Sequence, residues 1–561
     1  MSTLPTLGSD QCGYTKGPAP SVYGAARITV GHAEVGCRLF SVRYRDPDRM
    51  RIKPQALLVL SALSLACVGL LLVSCGGSGT GSASSSSSPA PVALSATEVD
   101  QVVHSAVQSI NAPLVIAVVD RTGAILSVFQ TAGAPATSTG NFGNVVDSSE
   151  LAVALARTAA LFSNDQAPLS SRTVRFISGI HFPPGIAFAP NADLYGIENT
   201  NRGCPLNVSF NPGKAINPAR SINGSNLGLG ILTGKADPVD SDPAAVNPGG
   251  VPLFKNGHAV GGTGVVSGSA ALAEYAAFSG ASQSGFLPSA AQLPAPGVVI
   301  IGGIALPFVN QTNLPDGTAP GTFAGSYVVG PLAGGLPPEG DLVGPNAGAG
   351  GLTQSDVSTI IAQAVATAQT TRAVIRLPSG SRTHMTIAVA DLDGTILGLH
   401  RMTDATVFSI DVAVAKARNV IFFSGAAAAS DLPGVPGGTA VTNRSIGFGA
   451  QPLFPPGIDG SNQGPFFTLY SADLANPCTQ GSQPANPNQN GIVFFPGSLP
   501  LYKNGVLVGG LGVSGDGVDQ DDYVTNAGAV GFEAPDNIRA DQVIIDTVRL
   551  PYLKFPRNPT Q

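Results

Sequence analysis

Histidine and cysteine are the residues of this sequence that could bind a metal ion or form a covalent bond. Five of the six histidines follow residue 76, at His104, His181, His258, His384 and His400. Their spacing matches neither HExxH nor a pair of CxxC motifs, so the sequence does not indicate a zinc site. It also contains neither a GxxxxGK[ST] phosphate loop nor a GxSxG turn. These absences favour a binding protein over an enzyme.

The composition excludes other classes of protein. The chain has 561 residues, including 70 Gly and 46 Pro, and 43% of its residues are hydrophobic, which rules out collagen and wholesale disorder. Charged residues make up only 11%, and the net charge is -6. The sequence therefore lacks the basic surface of a nucleic-acid-binding protein.

Residues 50–75 have the pattern of a bacterial lipoprotein signal. Arg51 and Lys53 supply positive charge, and an apolar run over 56–73 leads to Cys75. The Leu-Val-Ser-Cys ending resembles a lipobox, so we expect Cys75 to carry a lipid and the protein to be exported and membrane-anchored. Because Gly76 and not Asp follows the cysteine, we expect the periplasmic side of the outer membrane in a Gram-negative host. The alternative is one transmembrane helix.

The segments on either side of this signal are expected to lie outside the folded protein. Met50 directly precedes the signal, so we interpret it as the true start and residues 1–49 as an upstream misassignment. Residues 76–93 are rich in Gly and Ser, which predicts a flexible tether.

Two cysteines follow Cys75 in the chain. Cys204 and Cys478 each lie in a polar segment rich in Asn, Pro and Gly. An exported compartment permits disulfides, so we predict a Cys204–Cys478 bond. Two unpaired thiols and an intermolecular bond are the alternatives.

The chain also contains an internal repeat, in which one unit of sequence occurs twice. Ser95-x-x-Glu98 and Thr353-x-x-Asp356 each have the pattern of a capping box that begins an amphipathic helix. Each is followed by a hairpin, a second helix, a long insertion and another hairpin, whose Asn-Gly turn lies at 256–257 or 504–505. The runs 298–309 and 542–553 are predicted to close the two sheets.

This order predicts an α+β protein made of two antiparallel sheets with helices packed on them. We place the first unit at 94–309, a Gly/Pro-rich linker at 310–351, the second unit at 352–553 and a tail at 554–561. The insertions span about 164–251 and 425–499. Two like units in one chain favour an intrachain pseudo-dimer, with further homo-oligomers as a possibility.

The repeated unit resembles the GlcG/HbpS-like haem-binding family, which includes the C-terminal domain of PduO-type proteins. The resemblance rests on Ala388-Val-Ala-Asp391 with Gly394, on Lys416-Ala-Arg418, and on the glycines of 510–515. It implies a five-stranded antiparallel sheet with helices, a tendency to oligomerise, and binding of haem or a related tetrapyrrole.

This resemblance makes His400 the candidate ligand of a haem iron. Arg401 and Met402 follow it as a pair that is common in the family, and a cation there could bind a propionate. The first unit has Gln130 and Thr131 at the positions of that pair. The alternative for His400 is an ordinary histidine at a strand end.

Further candidates for cofactor binding are Lys416, Arg157, Arg418 and His181, which precedes a Phe-Pro-Pro-Gly-Ile motif. Arg157 and Arg418 match across the two units on apolar helices, where a charged residue is usually paired or extends toward solvent. The acidic residues of 519–522 are expected in the first turn of a helix, with a calcium site as the alternative.

The leading hypothesis is therefore an exported, lipid-anchored protein that binds haem or a related small ligand. One alternative is a structural or interaction protein that uses the family core as a scaffold and the insertions as a partner surface. Another alternative is an accessory enzyme of small-molecule catabolism.

Overall fold

The computed structural model describes most of the chain after residue 89, namely residues 90–140, 145–179, 194–197, 203–216, 219–224, 248–289, 298–301 and 304–561. The lipoprotein-like segment with Cys75, and His181, lie outside these residues. Within the described part, no helix is both long and apolar enough to span a membrane.

The first half of the chain contains four helices and nine strands in its described part. The helices are α1 (Ala96–Ser109), α2 (Ser148–Phe162), α3 (Ser171–Phe176) and α4 (Ala270–Gln283). The strands are β1 (Leu114–Asp120), β2 (Ile125–Gln130), β3 (Thr137–Thr139), β4 (Val145–Asp147), β5 (Gly250–Lys255), β6 (His258–Ser267), β7 (Val298–Ile301), β8 (Ile304–Pro307) and β9 (Ser326–Val329).

The second half repeats this order with further short helices in its insertion. Its α-helices are α5 (Gln354–Ala368), α6 (Phe408–Phe423), α7 (Asn443–Gly449), α8 (Phe467–Ala475) and α9 (Val518–Gly528). The strands are β10 (Gly340–Val343), β11 (Thr386–Ala390), β12 (Ile396–Arg401), β13 (Ser498–Lys503), β14 (Val506–Ser514), β15 (Ile544–Ile545) and β16 (Val548–Arg549).

The first helix of each half begins at the capping box that the sequence predicts. Ser95 and Glu98 cap α1 reciprocally, and Thr353 and Asp356 do the same for α5. Each cap satisfies backbone N–H groups that have no partner within the helix. The predicted hairpin turns are also present, with Asn256 and Asn504 at positive φ.

Each half forms a five-stranded sheet in which neighbouring strands are antiparallel. The strand orders are β5-β6-β1-β2-β9 and β10-β12-β11-β14-β13. Helices α1 and α4 pack on one face of the first sheet, and α2 packs on the other. Helices α5, α9 and α6 are arranged in the same way on the second sheet. The predicted α+β fold with two five-stranded sheets is confirmed.

The fifth strand of each sheet comes from the segment 310–351, for which the sequence predicts a linker. Strand β9 pairs with β2 in the first sheet, and β10 pairs with β12 in the second. The runs 298–309 and 542–553 were wrongly predicted to close the sheets, because they form the separate hairpins β7-β8 and β15-β16. In the second run, Asp546 and Thr547 adopt positive φ and reverse the chain.

The two halves contact each other where α2 ends and α6 begins. The backbone N–H of Val407 donates to the carbonyl oxygen of Leu161 at 3.1 Å. The rings of Phe162 and Phe408 stack with centroids 4.1 Å apart. Both phenylalanines belong to one hydrophobic core that also includes residues of β11 and β12. The halves therefore share a core within one chain.

Candidate functional site

His400 lies near the edge of the second sheet, on β12 between β10 and β11. Its Nδ1 is 2.7 Å from Oδ1 of Asp341, which lies opposite it on β10. The His400 side chain is 23% exposed and that of Asp341 is 52% exposed. A carboxylate at Nδ1 orients an imidazole and leaves Nε2 to bind a metal, which is the usual arrangement of metal-binding histidines. This geometry suits an axial ligand of haem iron.

Arg401 and Met402, which follow His400 in sequence, contact backbone groups of the protein. Successive residues of a strand point to opposite faces, and the fully buried Arg401 guanidinium donates to the carbonyl oxygens of Ala405 and Pro338. Burial lowers its pKa to about 10. The Sδ of Met402 accepts the backbone N–H of Met385 at 3.4 Å. As cofactor-binding residues, both stay predictions.

Arg157 and Arg418 play matched structural roles in the two halves. Arg157 Nε donates to the carbonyl oxygen of Gly123 at 2.8 Å, and Arg418 Nε donates to that of Gly394 at 2.9 Å. These glycines lie in the turns of the β1-β2 and β11-β12 hairpins. The arginines also donate to the carbonyls of Arg220 and Leu206 in the first insertion. They thus fasten the turns and the insertion, and burial lowers the pKa of each to about 10.

Lys416 and Arg444 contact the acidic residues of 519–522 inside the protein. Lys416 Nζ is 3.0 Å from Oδ2 of Asp521, and Arg444 Nε bonds Oδ2 of Asp522 at 2.5 Å. Asp519 and Asp521 lie in the first turn of α9, as the sequence predicts. Among the described residues, no group of three or more His, Cys, Asp and Glu side chains could hold a metal ion. The alternative of a calcium site therefore has no support in that part of the chain.

The glycines of β6 and β14 allow a helix to pack directly on the sheet, in the place where a flat ligand would otherwise lie. A Cβ at Gly264 would overlap the carbonyl oxygen of Ala152 on α2. A Cβ at Gly512 would overlap the carbonyl oxygen of Ala413 on α6. These glycines therefore allow the helix and the sheet to pack closely.

In the first half, an aromatic cluster occupies the place of His400. Strand register puts Phe129 opposite Ile116 as His400 lies opposite Ile387. Phe129 stacks on Phe323 with ring centroids 5.1 Å apart, and His104 also stacks on Phe323, with ring centroids 3.5 Å apart. The two halves therefore differ at this position, and the second half carries the metal-binding type of side chain.

The disulfide between Cys204 and Cys478 is present, as predicted, and joins the two insertions across 274 residues of sequence. Next to it, a cleft of about 310 Å³ lies between the first insertion and residues of both halves, among them Leu161 and Val407. A second cleft of about 600 Å³ lies beside β13 and the segment 533–555. Both volumes suit a small ligand, but neither cleft is lined by His400.

A cluster of buried charges at the junction of the halves was not predicted from the sequence. Arg121 Nη2 is 2.8 Å from Oδ1 of Asp404, and Arg376 Nη1 is 2.7 Å from its Oδ2. Although burial opposes it, these two guanidinium groups hold the pKa of Asp404 well below its usual range. Asp165 contacts Arg121 at 3.2 Å, and burial together with the charge of Asp404 raises its pKa. Arg376 also contacts Asp516.

One family model and several solved structures match part of the chain. Residues 352–530 match the model of a family described as haem degrading protein HbpS-like. None of the curated proteins matches the sequence. Two of these structures are a crystallised PduOC–haem complex and the protein ORFY of Klebsiella pneumoniae. Each is 21% identical over 32% of this chain, with a TM-score of 0.21. The match covers 94% of the PduOC chain and 90% of the ORFY chain. An HbpS double mutant from Streptomyces reticuli is 19% identical over 36% of this chain and 97% of its own, with a TM-score of 0.20. The family match therefore covers residues 352–530, about a third of the chain.

Proposed function

We propose that this chain binds haem, or a closely related tetrapyrrole, through its second half. The observation that carries the proposal is the family match of residues 352–530, a segment that includes β12 and His400. The pairing of His400 with Asp341 supports it, because a carboxylate at Nδ1 makes Nε2 a better ligand for iron.

The residues proposed to hold the ligand are few. His400 would bind the iron, and Asp341 would fix the orientation and protonation of the imidazole. Bound haem would supply a redox-active iron at this edge of the sheet. We do not assign Arg401 to a propionate, because its guanidinium is buried against backbone carbonyls away from His400.

Titration with haemin tests this proposal on the chain from residue 76 onward. Micromolar haemin should produce a saturable shift of the Soret band, and His400→Ala should weaken binding at least about tenfold, since it removes the bond to iron. The matched control is His384→Ala, a histidine of the same half whose Nδ1 contacts the carbonyl oxygen of Thr403 at 2.5 Å.

Three outcomes would contradict parts of the proposal. No Soret shift in the unchanged protein would remove haem binding altogether. Equal binding by His400→Ala and the unchanged protein would remove His400 as the ligand. Progressive loss of the Soret band with a reductant would indicate that bound haem is degraded, and the proposal of a binding protein would then give way to an enzyme.

We also propose that the protein is exported and anchored by a lipid at Cys75. The signal-like segment 50–75 motivates this, and the Cys204–Cys478 disulfide supports it, since stable disulfides are typical of oxidising compartments. A folded protein outside the cytoplasm would meet haem before it enters the cytoplasm.

Replacement of the proposed lipid-bearing cysteine tests this second proposal. In a bacterial host, Cys75→Ser should abolish incorporation of labelled palmitate and move the protein out of the membrane fraction. Cys67→Ser, within the same apolar run, is the matched control and should change neither result. An unchanged protein that takes up no label would refute the lipid anchor.

A further inference from the structure

Lys416 and Asp521 bring an amine and a carboxyl group into contact inside the second half. Lys416 lies on α6 and Asp521 lies in the first turn of α9, with side chains 0% and 3% exposed. Nζ is 3.0 Å from Oδ2 of Asp521 and donates to the carbonyl oxygen of Val513 at 2.7 Å. The ring of Phe495 covers Nζ at 4.9 Å. The pair is thus held in a fixed geometry away from solvent.

The second oxygen of Asp521 is not used in any hydrogen bond with the part of the chain that the structure describes. This Oδ1 atom is buried. Asp521 borders a cavity of about 30 Å³, whose other walls include Phe162, Phe408 and Phe495. A buried carboxylate with an unpaired oxygen is costly, whereas a protonated carboxyl group is tolerated more easily. The cavity is about as large as one water molecule.

The surroundings favour the uncharged forms of both groups. Burial raises the pKa of Asp521 to about 7, against the opposing charge of Lys416, and the charges of Asp522 and Asp516 raise it further. Burial lowers the pKa of Lys416. A neutral amine is a nucleophile, and a protonated carboxyl group is a better electrophile than a carboxylate.

The first half has apolar residues at the same two positions. Leu155 on α2 matches Lys416 by sequence. A Cβ at Gly249 would meet Ala273 Cβ, just as a Cβ at Gly497 would meet Asp521 Cβ, so Ala273 matches Asp521. The fold therefore does not need a charged pair at this place, and the polar pair of the second half calls for a chemical explanation.

We propose that Lys416 and Asp521 join through an isopeptide bond that forms within the folded chain. The Nζ lone pair attacks Cγ of the protonated carboxyl group, so that a C–N bond forms and the C–OH bond breaks. The hydroxyl group leaves with a proton from the nitrogen as one water molecule. The products are an amide and water, so that no oxidant, metal or other reactant is needed.

Mass spectrometry of the full chain tests the proposal. After allowance for the disulfide and any N-terminal processing, the unchanged protein should be lighter than its sequence by one water molecule. A tryptic digest should contain a branched peptide that joins Lys416 to Asp521. Lys416→Met should restore the full mass and remove the branched peptide.

Two controls separate this bond from other events. The double variant Lys416→Leu with Asp521→Ala copies the first half, so it should fold and have no mass deficit. Lys503→Met removes a partly exposed lysine whose Nζ lies 2.6 Å from Oδ2 of Asp356, and this variant should keep the mass deficit. Two results would overturn the proposal. One is an unchanged protein that has its full mass, and the other is a mass deficit that persists in Lys416→Met, as it would if an aspartate elsewhere had cyclised. The first result is measured on the unchanged protein alone, so it does not depend on whether the variants fold.

Discussion

Asp404 links the halves through two arginines that are far apart in sequence. Arg121 of the first half and Arg376 of the second each contact one of its carboxylate oxygens. Asp404 is buried, so its charge is stable only because both guanidinium groups are in place. Neither arginine nor the aspartate belongs to a recognisable motif, and the 283 residues between Arg121 and Asp404 explain why sequence reasoning missed the contact.

Replacing this carboxylate should destabilise the protein in a way that depends on pH. Asp404→Asn leaves two buried guanidinium groups without their shared partner and should cost about 3–5 kcal/mol of unfolding free energy at neutral pH. The pKa of Asp404 is lower in the folded than in the unfolded state, so its contribution is complete above the usual value of 3.8 and is lost as the pH falls further. Urea unfolding at several pH values measures this.

The comparison with the unchanged protein makes this test specific. The gap in stability between Asp404→Asn and the unchanged protein should narrow below about pH 4. A gap that stays constant from pH 7 to pH 3 would show that the loss comes from packing and not from the charge. The pKa of Asp165 is raised in the folded state, so its contribution to stability changes with pH in the opposite direction to that of Asp404. Asp165 therefore does not account for a difference in stability that narrows at low pH.

His400 shows how far residue-scale prediction can go. Its residue type and its neighbours in sequence identified it as a candidate ligand, but Asp341, which orients it, was not identified. Asp341 lies on a four-residue strand in a Gly/Pro-rich segment, where sequence alone predicts a linker. Only the pairing of β10 with β12 brings the two side chains together.

At the scale of elements, two strands owe their close contact with a helix to glycine. In β14, Gly510 and Gly512 face the backbone of α6, and Gly262 and Gly264 of β6 face that of α2. The helices can therefore lie directly on the sheets. Both strands contain the sequence GG-x-G, but the sequence alone does not identify the helix that these glycines contact.

A methyl group at one of these positions should push the helix away. Gly512→Ala would place Cβ against the carbonyl oxygen of Ala413 and 2.7 Å from the backbone nitrogen of Ala417. Because backbone atoms of a helix cannot turn aside, the change should destabilise the protein by about 1–3 kcal/mol, which exceeds the intrinsic gain of about 0.5–1 kcal/mol for Ala in a strand. A lower midpoint of urea unfolding measures this.

The matched control is a glycine that has space around it. A Cβ at Gly268, just after β6, would meet no atom within 4 Å, and its backbone is not in the left-handed region. Gly268→Ala should therefore change stability by no more than about 0.5 kcal/mol. Equal effects of the two substitutions would mean that contact with the helix is not the cause.

The elements that the sequence predicted are those with local signals. The capping boxes and Asn-Gly turns fix α1, α5 and two hairpins through nearby residues alone. The strands β9 and β10 were missed because four residues carry little pattern, and their pairing depends on partners far along the chain. The hairpin β15-β16 was missed because Asp546-Thr547 is not a common turn sequence.

At the scale of the whole molecule, the two copies share a fold but differ in chemistry. Where the second half has His400, Lys416 and Asp521, the first has Phe129, Leu155 and Ala273. The halves are held together by a shared core, buried charges and the disulfide. The repeat and the resemblance predicted two similar folded units, whereas the division of roles between them emerges only from the aligned structures.

The disulfide also makes part of the chain a closed covalent loop. The peptide chain from Cys204 to Cys478 and the bond between their sulfur atoms form a ring that runs through both insertions, the connecting segment and most of the segment 352–530 that matches the HbpS-like family. A protease that cuts once inside this ring opens it but does not divide the molecule. The two fragments separate only when the disulfide is reduced, so a single cut in an exposed part of this ring would leave the folded halves joined.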